Sequence, residues 1–393
     1  MLSPFPWLFC GRLTPATSPH PSHILHRPAN AELSSAIDIS SFQRFPETMK
    51  KFNVGVVGYG WAATAHIDAI NATRLGQATA VYSSRPQDAA ALSARHGSPI
   101  TVYSDFDAML DDPAIDVIDI TSYPSQHREQ AIKAAQAGKH LIIEKPLALS
   151  WEDCTAIQQA VEAAGVKATV CFECRHSGQF LTTRAMIDQG LLGHVHYGEI
   201  DYYHGVGPWY GQFRWNVKKE NGGSSLLSAG CHALDALLLC MGGEVESVTA
   251  YSTFSKNEIF AQYEYPTSQV NILKFTDGRI GKTASVLDCF QPYYFHTHLV
   301  GSEGSLLDNK FHTNSLGALK KDGWSQLNMS LMDSGDVADH PYKNQFDSFL
   351  DALEQGQDMP LTSLAEAMRS FKVIFACDRS AAEGREVKLS EFA

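Results

Sequence analysis

Lys51-Phe52-Asn53-Val54-Gly55-Val56-Val57-Gly58-Tyr59-Gly60-Trp61-Ala62-Ala63 is the stretch on which the reading of this chain turns. Val54 to Val57 is apolar without alternation, as strands are when helices cover both faces of their sheet. It runs straight into Gly-x-Gly-x-x-Ala and then into a helical segment, and each position then has a physical reason. Gly58 permits a tight turn, Gly60 lets the backbone approach a pyrophosphate, and Ala63 is small enough for the helix to pack close. The first N–H groups of that helix lack an intrahelical acceptor and face the phosphates. Alone, the glycines could be structural only. At the head of a series of strands and helices they read as a dinucleotide turn, with Gly58, Tyr59, Gly60, Trp61, Ala62 and Ala63 as its contacts.

That series follows. Apolar runs at 52–57, 78–82, 117–121, 140–143 and 167–171 alternate with amphipathic segments at 63–74, 86–96, 126–137 and 151–164, so residues 49–173 are expected to form a doubly wound parallel α/β sheet. From Glu173 on, the strands become alternating and aromatic, at 195–204, 246–253, 269–275, 280–286 and 295–300. Thr276-Asp277-Gly278-Arg279 reads as a hairpin turn, because Asp-Gly tolerates positive φ. With helices near 226–240, 341–354 and 363–383, residues 174–393 are expected to form an α+β domain on an open, mainly antiparallel sheet.

The first 48 residues are rich in Pro, Ser and His, without hydrophobic periodicity or the parts of a secretory signal, and read as a disordered extension. Arg12, Arg27 and Arg44 leave a transit peptide open, Glu32, Asp38 and Glu47 count against one, and a start at Met49 would explain the segment equally well.

Composition narrows the function classes. Lys and Arg total 31 against 43 Asp and Glu, a net charge of −12 that repels phosphate backbones, so no nucleic-acid partner is expected. Cys10, Cys154, Cys171, Cys174, Cys231, Cys240, Cys289 and Cys377 are scattered through a long chain, which fits a reducing compartment and a cytoplasmic location better than a disulfide scaffold. Cys171 and Cys174 form one close pair with no second pair beside it, so no metal is expected. No apolar run reaches about 18 to 20 residues, so neither a membrane span nor a membrane partner is expected.

The end of the second strand bears on the cofactor. A carboxylate there would bind the ribose hydroxyls of NAD, but Tyr82-Ser83-Ser84-Arg85 has none, which tilts the reading of an NAD(P) site toward NADP with Ser84 and Arg85 at the 2′-phosphate. A solvated arginine at a helix start would look the same. Another strand ends in Glu144-Lys145-Pro146, and ligands of such sheets bind beyond the carboxyl ends of strands, so Lys145 points at the crevice, with Glu144 and Lys145 as expected cofactor contacts. A partly desolvated lysine there is expected to have its pKa lowered toward neutrality, which suits proton exchange with an alcohol oxygen. In the glycine-rich segment at 222–235, Ser228 and His232 are four apart on one helical face, with Asp235 a further turn along.

With these motifs in order, the chain resembles the Gfo/Idh/MocA family of glucose–fructose oxidoreductases and inositol dehydrogenases, from about Lys51 to Leu389. The resemblance implies a Rossmann domain, a C-terminal open sheet that mediates homodimers or homotetramers, and a sugar or cyclitol substrate between them. It makes Lys145 the lysine that hydrogen-bonds the reacting hydroxyl and His232 the general acid or base. Pro124 and His127 match the loop beside the nicotinamide, Arg175 a domain-junction arginine and Asp235 the aspartate past the histidine. One departure is Ser228, where the family usually has an aspartate; a hydroxyl cannot carry that charge. Tyr203, Trp209, Arg214, Trp215 and Ser228 join Arg175, His232 and Asp235 as expected substrate contacts, with Tyr202, His204 and Tyr210 as further wall candidates. The expected activity is hydride transfer between a nicotinamide and a secondary alcohol or ketone. An oxidoreductive glycoside hydrolase and a non-catalytic NAD(P) sensor are the alternatives.

Overall fold

The computed structural model describes residues 51–392, so the reading of residues 1–48 falls outside the described residues. Six strands, β1 (Phe52–Val57), β2 (Gly76–Tyr82), β3 (Thr101–Tyr103), β4 (Val117–Ile120), β5 (His140–Ile143) and β6 (Ala168–Val170), form one parallel sheet in the order β3-β2-β1-β4-β5-β6. The direction of winding reverses between β1 and β4, and the crevice of such a sheet opens there. Strand β3 was not expected; three partly exposed residues give no apolar run.

Nine further strands form a second sheet: β7 (Val195–Tyr203), β8 (Val245–Thr253), β9 (Ser268–Phe275), β10 (Ile280–Val286), β11 (Tyr294–Gly301), β12 (Gly304–Leu307), β13 (Lys310–Thr313), β14 (Ser325–Gln326) and β15 (Val387–Lys388). All neighbours pair antiparallel except β7 and β10. The expected turn joins β9 to β10, with Gly278 at φ 87°. The inner face of this sheet is covered by the helices Cys231–Met241 and Leu364–Glu383. Its outer face leaves Tyr251, Val270, Ile272 and Ile280 exposed.

One expectation needs correcting, and one helix crosses between the two sheets. The stretch Lys219–Met241 is long and apolar enough, by length and composition, to cross a membrane, although 83% of its apolar window is buried inside the protein. The sequence reading missed it because glycines and serines at 222–225 interrupt the apolar run. Helix Tyr342–Glu354, which the sequence reading placed in the second domain, returns to the parallel sheet. Its Tyr342, Phe346, Phe349 and Leu350 pack in one core with Val54, Val56, Ile67 and Ile70.

A buried ion pair ties the turn after β6 to the helices beneath the second sheet. Arg175 donates through Nε and Nη2 to both oxygens of Asp235, each at 2.7 Å, and through Nη1 to the Leu361 carbonyl at 2.6 Å. The Ser370 hydroxyl donates to Asp235 at 2.6 Å. Since Arg175 is 4% and Asp235 1% exposed, neither charge can be solvated if the other is removed. Arg175→Met should cost about 3–5 kcal/mol in urea unfolding. Arg175→Met combined with Asp235→Leu should recover most of that loss; an equal loss in the double variant would contradict this role for the pair.

Candidate active site

One cavity of about 530 Å³ runs from the glycine turn of β1 to the second sheet. Gly58, Tyr59, Gly60, Trp61 and Ala62 line one end, with Ser83, Ser84 and Arg85 from the end of β2 beside them. Tyr202, Tyr210, Ser228, His232, Tyr293 and His340 line the other, and Glu144, Lys145 and Pro146 lie between. Gly58 has φ 91°, and a Cβ there would come within 3.0 Å of the Ser122 backbone nitrogen, so only glycine fits. A Cβ on Gly60 would meet nothing within 4 Å, which leaves its backbone open to the cavity. No side chain caps helix Trp61–Asn71, and its first N–H groups are left for an acceptor from outside the protein. This cradle fits the phosphates of a dinucleotide.

Lys145 sits at the centre, its Nζ donating to the Ser228 carbonyl at 3.2 Å. The neighbouring Glu144 accepts three hydrogen bonds. Its Oε1 accepts from His66 Nε2 at 3.0 Å and from the Tyr342 hydroxyl at 2.7 Å, and its Oε2 accepts from the Lys145 amide at 2.7 Å. His66 Nδ1 in turn lies 3.0 and 3.1 Å from the two oxygens of Asp119. With a carboxylate on each nitrogen, both ring nitrogens of His66 donate. Burial disfavours the imidazolium, but Asp119 and Glu144 outweigh burial and raise its pKa to about 10.

The expectation that Lys145 is lowered toward neutrality is corrected. Burial works in that direction, but the surrounding groups, Cys231, Glu144 and Glu173, prevail and hold Lys145 above its usual value. Cys231 is itself pushed up to about 12 by burial and is neutral at pH 7, so Glu144 and Glu173 are the charges that act. His232 is pulled the other way, down to about 4, mainly by burial. At neutral pH the site therefore holds a fixed ammonium beside a neutral imidazole.

Several expected contacts lie elsewhere. Arg175 and Asp235 do not line the cavity, because each is consumed by the other. Tyr203 is on the outer face of the second sheet, paired with Tyr294, while Tyr202 faces the cavity; adjacent strand residues point to opposite sides. Trp209 is 60% exposed, donating its indole N–H to the Gly205 carbonyl at 2.9 Å and leaning on Phe260 and Phe290. Ala63 is buried beneath the turn. Pro124 lines the cavity, but His127 is buried behind it, its nitrogens 2.9 and 3.1 Å from the Pro146 and Ser122 carbonyls, where it braces the loop. Arg214 and Trp215 do line the cavity, as do Ser84 and Arg85.

Sequence reasoning passed over Glu173, His340 and Tyr342. Glu173 follows β6 as Lys145 follows β5, so the same rule about strand ends could have found it. His340 comes from a loop far along the chain and gave no local signal.

Two family models, described as "Oxidoreductase family, NAD-binding Rossmann fold" and "Oxidoreductase family, C-terminal alpha/beta domain", match residues 52–172 and 184–389. The chain belongs to the Gfo/Idh/MocA oxidoreductase family. It is 28% identical over 198 residues to scyllo-inositol 2-dehydrogenase (NAD(+)) of Bacillus subtilis (strain 168), a match covering 50% of this chain and 56% of that protein. It is 26% identical over 190 residues to scyllo-inositol 2-dehydrogenase (NADP(+)) of the same organism, covering 48% of this chain and 51% of that one. The chain thus spans about half the length of these curated relatives. A levoglucosan dehydrogenase solved with NADH and levoglucosan has the same fold, with a TM-score of 0.74 over 86% of this chain and 100% of its own, at 22% identity. On this Gfo/Idh/MocA framework, Ser228 lines the cavity wall beneath which its hydroxyl is buried.

The charged state of His66 makes the fold pH-dependent. Because its folded pKa is raised from 6.5 to about 10, its contribution is complete below pH 6.5 and is lost as pH rises through about 10. Wild-type protein should lose thermal stability over that window. His66→Gln should start lower and stay flatter; parallel melting curves for the two proteins from pH 6.5 to 10 would contradict this.

Proposed function

We propose that this chain is an NAD(P)-dependent dehydrogenase acting on a secondary alcohol of a sugar or cyclitol, or on the matching ketone. The observation that carries the reading is that Lys145 and His232 share one cavity with residues 58–62 of the glycine turn. The names of its relatives, inositol and levoglucosan dehydrogenases, support a polyol as the substrate class.

The residues divide the work by charge. Gly58, Gly60 and the first N–H groups of helix Trp61–Asn71 would hold the pyrophosphate, with Ser84 and Arg85 at the adenosine end. When bound, the nicotinamide supplies the acceptor or donor of hydride, which no side chain can. Lys145, fixed as an ammonium, donates to the reacting oxygen and stabilises the alkoxide as the O–H proton leaves. His232, neutral and buried, takes that proton in oxidation and returns it in reduction. Ser228, Arg214 and Trp215 remain for the other hydroxyls and apolar faces of the ring.

Lys145→Met and His232→Asn should each lower kcat by about 100- to 10,000-fold in a screen of inositols and anhydrosugars. Binding of reduced nucleotide, followed by its fluorescence, should change little. A variant that keeps more than about a tenth of wild-type kcat would overturn the assigned role. The nucleotide preference is a separate proposal: Arg85 contacts the 2′-phosphate of NADP. Arg85→Ala should weaken kcat/KM for NADP by at least about tenfold, the scale of one charge-assisted contact, with NAD nearly unaffected. Equal losses with both nucleotides would remove it.

A further inference from the structure

We infer that Glu173 is a positioning residue for His232, supplying from the turn after β6 the carboxylate that Ser228 cannot supply from the helix, and that His340 holds Glu173 in place. The inference rests on the proposed function for its chemistry, but its geometry stands alone. Glu173 is fully buried, and its Oε1 accepts from His340 Nδ1 at 2.8 Å while lying 3.7 Å from His232 Nε2. With His232 neutral the second distance is a polar contact that becomes an ion pair only when the ring is protonated, and it must close by at least about 0.5 Å to become a hydrogen bond.

A carboxylate removed from water is costly unless paired, and the pairing of Glu173 is incomplete. Glu173 Oε2 and His232 Nδ1 are both buried without a hydrogen-bond partner. A neutral imidazole has one N–H and one lone pair, and the partner of one nitrogen decides the state of the other. With Glu173 on the Nε2 side, the proton belongs on Nε2, and the lone pair is left on Nδ1. Phe172, edge-on to the His232 ring at 6.1 Å and stacked on Phe371, limits the alternatives open to that ring. The charged or titratable groups facing His232 are Glu173, Lys145, His340, Glu144 and the thiol of Cys174, which burial keeps neutral. Of these, Glu173 stabilises the proton that His232 accepts, while Lys145 and His340 oppose it.

The test is Glu173→Gln, which keeps the shape and removes the charge. In the nucleotide-bound protein, the His232 titration seen by NMR of labelled histidine should move down by about one pH unit. Turnover of the best polyol should fall on the order of 100-fold in kcat with KM nearly unchanged. Glu173→Asp, which keeps the charge and withdraws it by one methylene, should give intermediate values and serves if Glu173→Gln does not fold. Ser228→Asp added to Glu173→Gln should recover at least about tenfold in kcat, since it returns a carboxylate to the neighbouring helical turn. An unchanged His232 titration together with wild-type kcat in Glu173→Gln would overturn the inference. So would stoichiometric zinc in the purified protein, removed by chelator together with activity, because Glu173, Cys174 and His232 bring their donor atoms within 4.8 Å of one another. A wild type that turns over no polyol would count against the proposed function, whereas the NMR titration judges Glu173 without any substrate.

Discussion

Glu144 carries the constraint on which the rest of the site depends. It is a carboxylate buried at the carboxyl end of a parallel strand, and such a charge persists there only when every lone pair finds a donor. Its donors come from three parts of the chain: His66 on the first helix, the amide of Lys145 beside it, and Tyr342 on a helix near the C-terminus. Meeting that one requirement brings the glycine turn, the strand end and the late helix together. It also explains why helix Tyr342–Glu354 crosses back to the parallel sheet instead of staying with the second.

The same constraint sets the electrostatics. Asp119, Glu144 and Glu173 form a buried acidic layer beneath the cavity, answered by His66 and Lys145. Lys145 is consequently a permanent cation and not a lysine near its own pKa. A fixed charge stabilises a developing alkoxide without having to give up its proton, and proton transfer then falls to a group whose charge can change. In the proposed function His232 is that group, buried enough to be neutral and placed against Glu173.

The fold was largely legible in the sequence because its signals are local. Apolar runs without alternation marked the parallel strands, alternation marked most of the second sheet, and Gly58 and Gly60 sit where the turn demanded them. What escaped were elements too short to carry a period, such as Thr101–Tyr103 and the small strands at the edge of the second sheet. The site was legible at Lys145, Ser228 and His232, which sit at a strand end and on a helix face. It was misread wherever the answer depended on a distant partner. Arg175 and Asp235 are 60 positions apart and cancel one another; Glu173 and His340 are 167 apart and meet at His232. Tyr203 was misassigned for a simpler reason, a strand phase that the run of adjacent aromatics at 202–204 did not reveal.

The central claim is that one cavity joins the dinucleotide turn to Lys145 and His232. A crystal structure of the protein grown with NADPH tests it most directly. The account predicts the pyrophosphate against Gly58 and Gly60 and the nicotinamide ring beside Lys145, on the side facing His232. A nucleotide bound with its nicotinamide away from Lys145 and His232, or no binding at the glycine turn, would contradict it.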